Sequence, residues 1–155
     1  MGSGKIKTVE IDIIEHTPSP DIGIEKLRQV LEKTLEAAGE TDVEVAVSLV
    51  DDERMRDLSR RFLDKDAATD VLSFAQRDEA QQRSRHLGDI VISMETARRQ
   101  AATAGHSASV EVCHLAEHGL LHLLGYEHDK MGQGEWNDAA LRFGLLHHVL
   151  NVERE

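Results

Sequence analysis

Cysteine is almost missing from this chain: Cys113 is the only one in 155 residues. A lone thiol excludes an internal disulfide and suits a reducing, cytoplasmic setting. Long apolar runs are missing too. No segment offers the roughly 20 apolar residues that a membrane-spanning helix needs, so no membrane partner is expected. The N-terminus has no apolar signal region, and residues 1–6 are expected to be a loose end or an expression remnant. Positive charge is scarce, with 18 Lys and Arg against 29 Asp and Glu and a net charge of −11. Phosphate contacts need Lys and Arg, so casual nucleic-acid binding is disfavoured and no DNA partner is expected. Repeats, low-complexity segments and dividing linkers are absent, and the length suits one domain, residues 1–155.

The charge deficit is uneven. Residues 1–50 carry 5 basic and 10 acidic groups and residues 100–155 carry 3 and 8, but residues 51–99 carry 10 and 11. Arg54, Arg56, Arg60, Arg61 and Lys65 fall in that near-neutral stretch. They form either a local basic strip or an ordinary solvated helix face.

Periodicity supplies the elements. Lys7–Glu15 and Val43–Val50 alternate as strands, and Asp70–Phe74 and His86–Ile92 read as two more. Ser19, Pro20 and Asp21 predict a helix start, with apolar positions from Ile24 to Ala38 and a stop at Gly39. Asp51, Asp52 and Glu53 place three acids at the positive end of a helix running to about Leu63. Ser93 opens a helix ending at Gly105, Ser107 opens the next, and Gly134–Leu150 is a last amphipathic helix. The reading is an α+β fold: a four-stranded mixed sheet covered by about five helices. A polar loop rich in Gln and Arg joins the last two strands.

The densest signal lies in the helix opened by Ser107. His118, His122 and His128 stand in the pattern HxxxHxxGxxH. Residues four apart share a helix face, so His118 and His122 can grip one cation together. Gly125 suits a left-handed helix stop that lets His128 fold back towards them. Three imidazoles suit zinc and leave a fourth position open, which points to catalysis, since structural zinc sites favour four protein ligands and Cys. Nickel, copper and iron accept the same ligands. The metal site is expected at the C-terminal end of a buried helix and in the loop after it, where the helix dipole favours a cation. His114, one turn earlier, is either a supporting partner of the site or, the reading favoured here, a buried His bonded to backbone. Cys113 lies about 140° round the helix from His118 and is expected to be a buried small apolar residue, not a ligand.

One group is conspicuously not there. Zinc peptidases of the HExxH kind carry a Glu directly after the first His as general base, and this chain has Gly119. Glu117, on the other side of His118, is expected to point away from the His face. The cage of a metal-dependent hydrolase is present without the peptidase base, which leaves a small metallopeptidase as the weakest of the readings.

At these residues the chain resembles the YbeY family of single-metal endoribonucleases, tied to ribosomal RNA maturation. The family signature HGxLHLxGYDH is matched from His118 to His128 with Glu127 as the one departure. Residues from Lys65 to Phe74 are similar to the family's KDxPTDVLSFP, with Ala68 and Ala75 in place of its prolines. Leu87–Ile92 matches its LGDIVI. The blocks run in family order from about Leu58 to His128. One departure bears on chemistry: the family has an Arg two residues before the Lys, and here that position is Leu63.

The resemblance implies one divalent metal ion, Zn2+ first, on His118, His122 and His128, and an RNA substrate, ribosomal RNA foremost. Ribosomal subunits or assembly proteins are the implied partners. Lys65 and Arg61 are the expected catalytic cations, offsetting charge on the phosphorane. Asp66, Thr69, Asp70 and Ser73 are expected to shape the site or cap backbone. The residues leave two routes open: attack by a metal-activated hydroxide, or attack by the ribose 2′-OH on a polarised phosphoryl group. A second class stays open as well, a ribosome assembly factor whose metal holds the fold without catalysis, and Leu63 leans towards it.

Overall fold

The computed structural model describes residues 6–64, 66, 68–76 and 85–125. Eight elements run in the order β1 (Val9–Glu15), α1 (Ile24–Ala37), β2 (Val43–Val50), α2 (Asp52–Leu63), β3 (Val71–Ala75), β4 (His86–Ser93), α3 (Met94–Ala104) and α4 (Ala108–Leu123). The expected last helix, Gly134–Leu150, and most of the polar loop before β4 lie outside the described residues. The rest of the α+β expectation stands: a four-stranded mixed sheet with four helices among the described residues.

The strands lie in the order β1-β2-β4-β3. β1 pairs parallel with β2, β2 parallel with β4, and β3 antiparallel with β4. Alternation decides which side chains enter the core. In β2, Val43, Val45, Val47 and Leu49 are buried while Glu44, Ala46 and Ser48 are half-buried. The main core joins these to Leu27, Leu31 and Leu35 of α1 and to Leu115, Leu120 and Leu123 of α4. A smaller cluster of Val50, Met55, Leu72 and Val91, with Leu58, Ala68 and Phe74 packed on it, marks a separate apolar centre under α2.

Helix ends follow local chemistry. Asp51 caps α2 by accepting from Arg54 N at 2.8 Å, and Ser107 caps α4 by accepting from Val110 N at 3.1 Å. α1 begins later than its sequence predicts. Ser19, Pro20 and Asp21 form a turn, and the helix starts at Ile24 behind Gly23, which makes no side-chain cap. Asp21 is drawn off as a partner of Arg98, with two hydrogen bonds at 2.9 Å that hold its carboxyl below the usual range. Among the described residues no helix is long and apolar enough to cross a membrane.

Candidate metal centre

α4 is nearly encased. It packs against α1, α3, β3 and β4, and from Val110 to Leu123 every residue is buried except His114, His118 and His122. These three are spaced at i, i+4 and i+8, so the one stripe of the helix that reaches solvent is a stripe of imidazoles. His118 and His122 are half-buried, and their ring centroids stand 5.3 Å apart at 39°. Two imidazoles bound tetrahedrally to one ion at about 2.0–2.1 Å place their centroids about 5 Å apart, so this pair fits a shared ion. His114 is exposed, against the reading of a buried His bonded to backbone, because the stripe opens to solvent one turn before the cleft.

The cleft beside the pair has a volume of about 380 Å³ and is lined by Asp70, Val71, Leu72, Ser73, His118 and His122. β3 therefore forms the facing wall. Ser73 Oγ donates to the Gly119 carbonyl at 3.1 Å, which ties that wall to α4 between the two histidines. Asp70 is set by three groups: Oδ1 accepts from Val71 N at 2.8 Å and from Thr69 Oγ1 at 3.5 Å, and Oδ2 accepts from Gln100 at 3.2 Å. Asp70 and Ser73 thus line the cleft, and Thr69 touches it only through Asp70. The role of Gln100 had no sequence signal, since it arrives from α3 only in the tertiary fold.

Gly119 is required by packing. A Cβ there would sit 2.9 Å from both Ile90 Cγ2 and Ser73 Oγ, so a side chain fits only by displacing the side chains that β3 and β4 press against the helix. The general base of an HExxH peptidase has no room at this position. Glu117 is not on the cleft wall either. It is 2 % exposed, its Oε1 has no hydrogen-bond partner among the described residues, and burial pushes its carboxyl up to about 9. The direction expected for Glu117 holds, but its deep burial was not foreseen: in a helix encased on all other sides, facing away from the histidines means facing the core.

Gly125 takes φ +98 and ends the helix region in a left-handed conformation, with its N–H bonded to the His122 carbonyl at 3.0 Å. The chain thus turns at the residue its sequence nominates. His128, the expected third ligand, lies outside the described residues. Among those described, no group of three His, Cys, Asp or Glu side chains gathers as a ligand set. Cys113 is buried, and desolvation raises its thiol to about 12, which fits the inert apolar role and not a thiolate ligand.

The helix that would carry the expected cations on one face stops short of the second. α2 ends at Leu63, and Asp64 caps it with φ 53, so the helix does not run on far enough for helical spacing to relate Arg61 to Lys65. Arg61 pairs with Asp57 at 3.3 Å and does not line the histidine cleft. Lys65 lies outside the described residues. Asp66 is exposed and lies 3.6 Å from Arg56 and 3.7 Å from Arg60. Leu63 is 46 % exposed at the end of α2.

Comparison with known proteins matches this architecture. The family model described as Endoribonuclease YbeY aligns with residues 13–137. An Endoribonuclease YbeY from Geobacillus kaustophilus is 39% identical, covering 89% of this chain and 98% of that protein. The one from Aquifex aeolicus is 44% identical over 72% of this chain and 73% of its own length. A solution structure of a Thermotoga maritima protein superposes with a TM-score of 0.62 at 26% identity, covering 93% of this chain and 91% of that one. With the signature helix, the β3 wall and this match in agreement, the chain belongs to the YbeY endoribonuclease family, a family of RNA-cleaving hydrolases.

Proposed function

We propose that this chain is a zinc-dependent endoribonuclease that cuts single-stranded RNA during ribosomal RNA maturation in the cytoplasm, with His118, His122 and His128 holding the metal. The observation that carries the reading is the histidine stripe. A helix that buries almost everything else leaves His118 and His122, one turn apart, to face the same cleft. A zinc ion held by such ligands would lower the pKa of a water from ~15.7 towards ~7 and would polarise a phosphoryl oxygen.

The chain's own residues set the rest. Ser73 fixes the distance between β3 and α4, and Asp70, already held by Gln100 and the Val71 amide, presents a fixed carboxylate at the cleft. Lys65 is the cation assigned to the phosphate, given its place in the block between α2 and β3. Arg61, turned onto Asp57, contributes long-range charge in place of a direct contact.

Leu63 favours one rival, a metal-stabilised ribosome assembly factor without catalysis, because it replaces a cation by an apolar side chain. Incubating nuclease-free protein with an unstructured RNA separates the two. Cleavage by the wild-type chain that disappears in His118→Ala supports the enzyme. RNA left intact by the metal-replete wild type supports the assembly factor.

A further inference from the structure

Aromatic residues are rare here, at 3% of the chain with three Phe. Two of those three meet at the surface. Phe62, in the last turn of α2, and Phe74, in β3, pack edge to face with centroids 5.2 Å apart at 68°. Phe74 leans on the small core cluster under α2, while Phe62 stays 61 % exposed. A large apolar ring gains free energy by leaving water, so an exposed one held in place by a second ring is a candidate contact surface.

The surroundings carry the matching charge. Arg56 and Arg60, one helical turn apart, line a second cleft of about 660 Å³ together with Arg99 and Ala68. Asp66 is the acid that Arg56 and Arg60 share, at 3.6 and 3.7 Å, with all three side chains more than half exposed. Exposed ion pairs of this kind contribute little, so a phosphate can take the place of the carboxylate. Two acids, Asp52 and Glu53, line the cleft as well, and Asp52 is already engaged: it accepts from Ser93, from Thr96 Oγ1 at 2.7 Å and from Arg99 at 2.8 Å, which leaves three guanidinium groups against Glu53 and Asp52.

Chain connectivity sets this surface beside the histidines. Ala68 lines the arginine cleft and Asp70 the histidine cleft, two residues apart. Ser73 bonds to α4 and lines the histidine cleft, while Phe74, the next residue, packs on the α2 side. Among the described residues β3 is the edge strand, so a flexible polymer can pass from one cleft to the other round its side. A free aromatic face beside guanidinium groups recognises unstacked bases and their phosphates, and a duplex, with its bases stacked inside, offers neither.

We propose that Phe62, backed by Phe74 and flanked by Arg56 and Arg60, is a stacking platform that takes a base of single-stranded RNA next to the histidine cleft. The proposal rests on the endoribonuclease reading for its choice of polymer. It adds a subsite that positions the strand and leaves the chemical step to the histidine side.

The test uses the full chain and a labelled 12-nucleotide oligouridylate, with binding followed by fluorescence anisotropy and RNA integrity on a gel. Phe62→Leu keeps the apolar area and removes the ring, so it is expected to weaken binding about tenfold, the scale of one lost base stack. Phe62→Trp is expected to restore affinity and to add indole fluorescence that RNA quenches. Arg60→Gln is expected to weaken binding and to lower the salt dependence by about one phosphate contact. In cleavage assays Phe62→Leu should raise KM and leave kcat in place. Phe62→Leu binding RNA as tightly as wild type overturns the platform and leaves the Phe62–Leu63 patch to a protein partner. Weak binding that Phe62→Trp fails to restore overturns it too. If wild type binds in the expected manner but never cuts, the platform stands and the nuclease reading fails. If wild type cuts and Phe62→Leu is indistinguishable, the nuclease reading stands and the platform fails.

Discussion

Glu117 is the residue whose chemistry differs most from its place in the sequence. Its carboxyl is buried with Oε1 unpartnered among the described residues, and burial raises it to about 9, which favours the neutral form. Its folded pKa lies above the unfolded value of 4.5, so the protonated form favours the native state. The stability it contributes is present below 4.5 and is lost as pH rises towards 9, by at most about 1.4 kcal/mol per pH unit. Glu117→Leu is expected to melt at a higher temperature than wild type at pH 8, with a gap that narrows towards pH 5. Equal melting temperatures at pH 8 would mean that the carboxyl is not desolvated. Gly119, two residues on, predicts the opposite sign. Gly119→Ala drives a methyl into Ile90 and Ser73, and a cost of about 1–3 kcal/mol is expected in chemical denaturation.

At the scale of elements, α4 was the most legible and α2 the least complete. The Ser107 cap, the Gly125 stop and the i, i+4 histidines are local signals, and the helix follows them. The exposure of His114 and the burial of Glu117 were not legible, because both depend on how far α1, α3, β3 and β4 wrap around the helix. The end of α2 falls at Leu63 as its sequence predicts, but the left-handed cap at Asp64 removes the shared helix face for Arg61 and Lys65 that residue spacing alone left open. The delayed start of α1 has a similar origin, since Arg98, far away in sequence, captures Asp21. The phosphate assignment is tested at this scale. Lys65→Ala is expected to slow RNA cleavage by an amount corresponding to about 2–4 kcal/mol, more than Arg61→Ala, with bound metal unchanged. Full activity in Lys65→Ala would move the assignment to another cation.

For the whole molecule, the sheet and its two apolar centres explain why the site lies where it does. β3 is the antiparallel edge strand among the described residues, and α4 packs beside it, so the cleft opens at the border of the main core. Strand order was not readable from the chain, because β4 pairs with β2 across an intervening helix and strand. A metal shared by α4 and the segment after Gly125 would tie that segment to the core, so binding should stabilise the fold. At 100-fold over Kd the gain is about 2.7 kcal/mol, and chelation is expected to lower the melting temperature accordingly. The most direct test of the account is metal stoichiometry by elemental mass spectrometry on metal-replete protein. One equivalent of a divalent transition metal is expected in the wild type, falling well below one in His118→Ala, His122→Ala and His128→Ala alike. No bound metal in the wild type, or full occupancy in all three variants, would contradict it.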